Sequence, residues 1–279
     1  MPDMDSALLR KKIEHIQSLP TIPSVLKRIS GMIEKPGISL QEISTFISND
    51  PALTTKILKM INSAVYGFPG RISSVSHATV LLGLNVIKGL LIGVSVFEIM
   101  QKSMVGLWEH SLGCAVTARI MAKKKGVPEP EEVYVAGLLH DIGKVIFILE
   151  FPRDYENAMH AADAEGLTIF EIEKRLFHAH HATIGSWLAE KWSFPGNLVE
   201  IIKYHHAPLR SRRAPLEASI VHLSDILVRA QATGFAGDHF IPAVDPAAFE
   251  FLSLNESDLM EIIKEAEDSR NAIEESASE

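Results

Sequence analysis

Apolar residues at helical spacing are the feature that most limits how this chain can fold. Nearly every segment of the 279 residues repeats them every three or four positions, and no segment alternates apolar and polar residues for long. After Asp50-Pro51, an N-cap residue followed by a proline suited to the first helical turn, Leu53, Ile57 and Ile61 share one helix face. Ser39-Leu40-Gln41-Glu42 has the spacing of a capping box. This pattern predicts an all-α fold.

Charge and cysteine content limit the partners and the compartment. The formal net charge of −8 would repel phosphates, so we expect no direct DNA binding. Cys114 is the only cysteine, which excludes an internal disulfide framework and suits a reducing cytoplasm. The acidic start of the chain lacks the basic region of a signal peptide. We therefore expect a cytoplasmic protein.

One apolar stretch, residues 80–97, requires a test for membrane insertion. It contains Lys88 and Asn85 near its middle, and a charge at that depth is costly in lipid. Two buried helical segments explain the stretch better, so we expect no membrane association.

The chain divides into three predicted parts. An N-terminal helical lobe covers residues 1–103, a histidine-rich helical lobe covers 104–253, and a C-terminal helix with an acidic tail covers 254–279. The first boundary falls in the break between Met100 and Gly106. No proline- or serine-rich linker lies there, so we expect the two lobes to pack tightly.

Further elements follow from apolar periodicity and from glycine and proline positions. We expect a first helix containing Ile13, Ile16 and Leu19, and a loop from Tyr66 to Gly70. The other expected elements are continuous helices over 133–150 and 168–191, a loop over 233–246, and an amphipathic helix over 255–267 with a frayed acidic end.

Histidines are the most informative polar residues. The chain has 12, most of them between His110 and His222. His140-Asp141 lies among apolar residues on a predicted helix, and a polar pair in that position needs partners in the core or a ligand. His110 precedes this pair, and His181, His205-His206 and Asp225 follow it. Separated imidazoles and carboxylates on several helices are how a bundle assembles a metal centre.

Each of these histidines has a simpler interpretation. A single His such as His110 is more often a hydrogen-bonded core residue than a ligand, and His160, His178 and His180 are expected at the surface. Cys114 shares a helix face with His110 and is expected to pack in the core. His222, three residues before Asp225, is a candidate for a hydrogen bond behind a ligand.

His110, His140-Asp141 and Asp225 resemble the H…HD…D signature of the HD phosphohydrolase superfamily. The additional His181, His205 and His206 are similar to the two-metal HD-GYP branch. The resemblance implies that His110, His140, Asp141 and Asp225 hold one metal ion and that His181, His205 and His206 hold the second. It also implies that Asp141 bridges the ions and that Lys144 touches a substrate phosphate, which gives both residues a catalytic role. The chain lacks the Gly-Tyr-Pro element of that branch after His206, which argues against hydrolysis of cyclic di-GMP.

The front half resembles a more specific family. Leu19-Pro20-Thr21-Ile22-Pro23, the stretch from Ile47 to Thr54, and Leu58-Lys59-Met60-Ile61-Asn62-Ser63-Ala64 are similar to HDOD proteins, which are bacterial regulatory domains. The matches extend over about residues 15–230. Many HDOD proteins lack the metal ligands that this chain retains.

Two functions remain open. The first is a bacterial signal-transduction protein with a dinuclear site for iron, manganese, nickel or zinc, acting through protein partners. The second is a metal-dependent phosphohydrolase that acts on a phosphate ester or nucleotide through a two-metal-activated water. Whether the protein is an enzyme is left undecided by the residues.

Overall fold

The computed structural model describes residue 10, residues 24–62 and residues 72–278, and no strand occurs among them. The expected helix around Ile13 and the expected loop around Gly70 lie outside these residues. The front helices are α1 (Ser24–Ile33), α2 (Leu40–Ser48), α3 (Pro51–Ile61) and α4 (Val75–Ser103). The predicted all-α fold is confirmed for the described part of the chain.

The histidine-rich part continues the helical order. It contains α5 (Leu107–Lys124), α6 (Pro130–Leu139), α7 (Ile142–Glu150), α8 (Pro152–Glu165), α9 (Ile169–Phe177), α10 (His181–Lys191), α11 (Gly196–Tyr204) and α12 (Pro215–Ala230), followed by α13 (Pro246–Leu252) and α14 (Glu256–Ser278). A short 3₁₀ turn, Pro208–Arg210, lies between α11 and α12.

The helix starts in the front half follow the sequence signals. Ser39 and Glu42 form the predicted capping box, and the Asp50 carboxylate accepts hydrogen bonds from Ala52 and Leu53 at the start of α3. The Asn62 side chain accepts from Ile72 N at 2.7 Å and donates to Ile72 O at 2.8 Å, which holds the end of α3 beside the approach to α4. Helices α1, α2 and α3 all pack on α4.

Helix α4 connects the front helices to the histidine-rich part. It breaks at Gly83, whose φ of 78° is left-handed, so the predicted division into two helical segments holds. Its second segment packs on α6 so closely that a Cβ on Gly89 would lie 2.2 Å from Val135 Cγ1. Its first segment is not buried as expected, because Val80 and Leu81 are 75% and 49% exposed.

Helix α4 is also long and apolar enough to cross a membrane by those two criteria, and 61% of its most apolar window is buried inside the protein. Core helices of water-soluble proteins meet the same criteria.

Both continuous helices predicted in the histidine-rich part are wrong. Residues 133–150 break between α6 and α7 at His140-Asp141, and 168–191 break between α9 and α10, where His178 adopts a left-handed φ of 51°. Apolar periodicity continues across each break, so it cannot signal a change of direction. Helix α13, which Asp245 caps, was not predicted, and α14 continues to Ser278 instead of fraying after Glu267.

Candidate metal centre

All of the predicted ligands converge on one buried position. The ends and breaks of helices supply most of them: His140 and Asp141 lie between α6 and α7, His181 is the first residue of α10, and His205 and His206 follow α11. Continuous helices supply the other two, His110 from α5 and Asp225 from α12.

The first cluster consists of His110, His140, Asp225 and Cys114, whose candidate ligand atoms all lie within 4.8 Å of one another. His110 Nε2 is 3.3 Å from His140 Nε2, 3.2 Å from Asp225 Oδ1 and 3.6 Å from Cys114 Sγ. None of these residues is more than 2% exposed. The cluster is sealed from solvent.

The second cluster consists of His181, His205 and His206. His181 Nε2 lies 2.9 Å from His206 Nε2 and 3.3 Å from His205 Nε2. His181 and His205 are buried, whereas His206 is partly exposed.

Asp141 stands between the clusters. Its Oδ2 is 3.3 Å from His140 Nε2 and 3.5 Å from His110 Nε2, and its Oδ1 is 3.2 Å from His181 Nε2. One carboxylate therefore faces both groups of imidazoles, one oxygen to each.

The hydrogen bonds behind the imidazoles determine which ring nitrogen carries the proton. His140 and His205 each place Nδ1 2.7 Å from a backbone carbonyl oxygen. A carbonyl only accepts, so in the neutral ring Nδ1 is protonated and Nε2 presents a lone pair to the centre. His181 Nδ1 lies 2.6 Å from Glu173 Oε2, which also accepts from His181 N. The Nε2 lone pairs of His181 and His205, 3.3 Å apart, thus face one another with no proton between them.

Burial and local charge set the protonation states. Burial lowers the pKa of His181, His205 and His206 well below the ordinary value, with neighbouring charged groups adding to the effect. Burial alone would raise the pKa of Asp141, but His140, Lys144 and His181 overcome it and hold that pKa well below the usual range. Neutral imidazoles and an ionised carboxylate are the forms that bind metals.

Two groups of the first cluster behave differently. Burial lowers the pKa of His140, but the adjacent Asp141 raises it by more. Burial raises the pKa of the Cys114 thiol well above its usual value, and the carboxylates of Asp141 and Asp225 add to the rise. Asp225 itself has a lowered pKa, because its contacts with His110 outweigh burial.

Lys144 lies one turn beyond Asp141 and is almost fully buried. Its Nζ donates to Asp141 Oδ2 at 2.6 Å and to the backbone oxygen of Ala236 at 2.7 Å. A cavity of about 30 Å³ lies beside it. Its lining residues are Lys144, Thr168, Ile169, Phe170, His181, His206, Arg229 and Pro242.

Residues 233–245 form a covering loop over this cavity, anchored along its length. Phe235 N donates to Gly106 O at 3.0 Å, and Ala236 O accepts from Lys144. The buried Asp238 accepts from Arg229 and from Ile169 N at the start of α9. The predicted irregular segment is thus the cover of the centre.

Sequence reasoning missed Glu173, a fully buried carboxylate that orients His181. Tyr155 Oη donates to it at 2.8 Å, and burial raises its pKa to about 7. The available signal was its position, because Glu173 shares the apolar face of α9 with Ile169, Ile172 and Leu176.

His222 does lie behind a ligand, although the ligand is not Asp225. Its Nδ1 is 2.8 Å from His205 O, and its Nε2 accepts from Asp245 N at 3.0 Å. Of the histidines expected at the surface, His160 and His178 are exposed, whereas His180 is half-buried with its ring against Phe170.

Glycine permits the two clusters to approach. A Cβ on Gly143 in α7 would lie 2.0 Å from His181 O and 2.9 Å from Gly185 N in α10. Because the backbones touch at this point, Asp141 can reach His181.

Comparison with known proteins gives one family match. The HDOD domain family matches residues 19–208, which is more than half of the chain. An uncharacterized protein of Treponema pallidum (strain Nichols) is 29% identical over 197 residues, which are 69% of this chain and 38% of that protein. This chain therefore spans well under half the length of that relative.

Similar folds occur among solved structures. An HDOD domain protein of unknown function from Geobacter sulfurreducens is 26% identical with a TM-score of 0.63, covering 98% of this chain and 95% of that one. A protein from Marinobacter aquaeolei VT8, provisionally assigned to signal transduction, is 20% identical with a TM-score of 0.69 and covers 100% and 67%. A protein from Shewanella amazonensis SB2B, provisionally assigned as a metal-dependent phosphohydrolase, is 20% identical with a TM-score of 0.57 and covers 97% and 96%. With the family match over residues 19–208, these similarities identify the chain as a member of the HDOD domain family.

Proposed function

We propose that this HDOD protein is a cytoplasmic regulator in a bacterial signalling pathway, built around a dinuclear metal centre and acting on protein partners. His110, His140, Asp141 and Asp225 hold the first ion. His181, His205 and His206 hold the second ion, and Asp141 bridges the two. The observation that carries the proposal is the convergence of imidazole nitrogens and carboxylate oxygens, within 4.8 Å of one another in each group, in the protein interior.

The separations of these atoms fit shared ions. Two imidazole nitrogens bound to one tetrahedral ion lie about 3.3 Å apart, from bonds of about 2.05 Å. The pairs His110–His140 and His181–His205 are each separated by 3.3 Å. In the pair His181–His205 both Nε2 atoms present lone pairs, which repel at that distance unless a cation lies between them. Asp141 Oδ1 and Asp225 Oδ1 support the same interpretation, because both are buried without a hydrogen-bond partner.

The donors are nitrogen and oxygen atoms of borderline character, which suit iron, manganese, nickel or zinc. Such ions, when bound, polarise a phosphoryl group and activate a water. Residues of the chain position the candidate ligands in an enclosed space. Glu173 orients His181, and Lys144 donates to the bridging carboxylate.

The enclosure of the centre favours regulation over turnover. Pockets for small molecules have volumes of about 300–1,000 Å³, whereas the cavity beside His181 and His206 is about 30 Å³. The Lys144 ammonium already donates to Asp141 and to the covering loop. A cavity of this volume is too small to hold a nucleotide.

A second function, hydrolysis of a phosphate ester, is favoured by one observation. Lys144 and Arg229 both line the cavity next to His181 and His206, so two cationic side chains adjoin the proposed second ion. This arrangement suits a phosphate once the covering loop has moved. Asp141 and Lys144 are the catalytic candidates in this case.

The test combines metal analysis with an activity panel. The purified full chain is analysed for bound metal, then assayed with generic phosphodiesters, phosphomonoesters and cyclic dinucleotides beside Asp141→Asn, which keeps the side-chain volume. We expect two equivalents of metal in the unaltered protein, a large loss in the variant, and no turnover in either. Metal-dependent turnover that Asp141→Asn abolishes would establish the enzyme instead. Absence of metal after growth and loading with each candidate ion would overturn the metal centre.

A further inference from the structure

Cys114 lies among the candidate ligands of the first cluster. It lies on α5 one turn after His110, is fully buried, and places its Sγ 3.6 Å from His110 Nε2. The sequence predicted core packing for Cys114, and the residue is buried. Its sulfur faces the same space as His110, His140 and Asp225.

The distances around His110 are those of ligands around one ion. A nitrogen bonded at about 2.05 Å and a thiolate sulfur at about 2.3 Å to a tetrahedral zinc lie about 3.6 Å apart. The separation between His110 Nε2 and Cys114 Sγ is 3.6 Å.

A second, independent feature points to a ligand in this space. Asp225 is 2% exposed, yet its Oδ1 has no hydrogen-bond partner although it lies 3.2 Å from His110 Nε2. An unpaired buried carboxylate oxygen is costly, and the packing of a thiol does nothing to satisfy it. A cation among the cluster satisfies it and also binds sulfur.

We propose that Cys114 is a direct ligand of the first ion, an inference that rests on the metal centre proposed above. On binding, the S–H bond breaks, its proton leaves to solvent, and the sulfur lone pair forms the metal–sulfur bond. The first position is therefore a mixed sulfur, nitrogen and oxygen site. Thiolate ligation selects zinc, cobalt or ferrous iron over manganese and magnesium, so the two positions differ in the ions they prefer.

Cobalt substitution tests this directly because Cys114 is the only cysteine of the chain. The full chain, stripped of metal by a chelator, is titrated with Co²⁺ beside Cys114→Ala. We expect a near-ultraviolet thiolate-to-cobalt charge-transfer band that saturates at one equivalent in the unaltered protein. The variant should lack this band, keep the visible bands of histidine-bound cobalt, and bind zinc at the first position about 10- to 100-fold more weakly.

The outcomes separate the two proposals. Cobalt bound without the charge-transfer band overturns ligation by Cys114 and leaves the histidine and carboxylate centre intact. No cobalt bound at all overturns the centre itself. A band that persists in Cys114→Ala does not arise from a thiolate and also overturns the inference.

X-ray absorption on the unaltered zinc-loaded protein gives a measurement that does not depend on how the variant folds. A sulfur scatterer at about 2.3 Å from zinc is the expected result. A coordination shell of nitrogen and oxygen alone overturns it.

Discussion

The two clusters of the centre use the same side chain in different surroundings. His110 and His140 lie in a sealed space, with Asp225 and Cys114 as neighbours. His181, His205 and His206 border a cavity, and His206 is partly exposed. An ion in the first cluster meets only protein atoms, whereas one in the second has a cavity beside it.

This difference assigns separate roles. A sealed ion contributes to folding, because its ligands cannot be satisfied by water when it is absent. An ion beside a cavity can exchange and can respond to what enters. We therefore expect the first cluster to govern stability and the second to govern response.

Gly143→Ala should lower the free energy of unfolding the most, because it would force apart α7, which follows Asp141, and α10, which begins with His181. The added Cβ would lie 2.0 Å from His181 O, and overpacking against backbone costs about 3 kcal/mol or more. Gly185→Ala is the matched control. Its Cβ would be 3.0 Å from a movable methyl of Ile202, so we expect a change within about 1 kcal/mol. Denaturant unfolding measures both, and equal destabilisation would contradict the close approach as the structural requirement.

His110→Ala and His206→Ala compare the clusters directly. Each should remove about one equivalent of metal. His110→Ala also leaves a buried cavity in the sealed cluster, so we expect it to lower the free energy of unfolding by about 3 kcal/mol. His206 is partly exposed, so we expect His206→Ala to lower the free energy of unfolding by only about 1 kcal/mol.

Metal analysis measures the loss of bound metal, and thermal unfolding measures the loss of stability. His160 is exposed, and His160→Ala is the control that should change neither quantity. If His206→Ala destabilises as strongly as His110→Ala, the distinction between a structural and an exchangeable ion fails.

Asp238→Asn should change access to the second cluster and leave the number of bound ions unchanged. Asp238 anchors the covering loop to Arg229 and to Ile169 N. Weakening this charged contact by about 1.4 kcal/mol would make the open loop about tenfold more populated. A chelator should then extract the second ion about tenfold faster, with the first ion little affected. Glu250→Gln, at an exposed position on α13, is the control. Unchanged extraction in Asp238→Asn would show that the loop does not limit access.

The sequence indicated which residues would lie together as candidate ligands, but it did not indicate the residues that position them. His110, His140-Asp141, His181, His205-His206 and Asp225 were recognisable because their order and spacing resemble a known signature, and the structure brings all of them together. The division into lobes at residue 103 and the identity of the ions stay predictions.

The residues that position the ligands and the covering loop do so through contacts between distant parts of the chain. Glu173 is paired with His181 and Tyr155, and Asp238 with Arg229. Apolar periodicity also continued through the breaks at residues 140–141 and 178–180, because residues on both sides of each break are buried. The direction of the chain at those breaks comes from packing, such as the contact between Gly143 and His181 O, which periodicity does not encode.

The covering loop begins against the last helix. Arg270 of α14 donates to Thr233 Oγ1 at 2.9 Å and to Gln231 Oε1 at 3.2 Å, while Lys124 at the end of α5 contacts Asp258 and Glu261 of α14. A partner that displaced α14 would remove the hydrogen bonds of Arg270 at the start of the covering loop, without contacting any candidate ligand. Through this contact with the covering loop, a change at the protein surface on α14 can alter access to the buried candidate ligands.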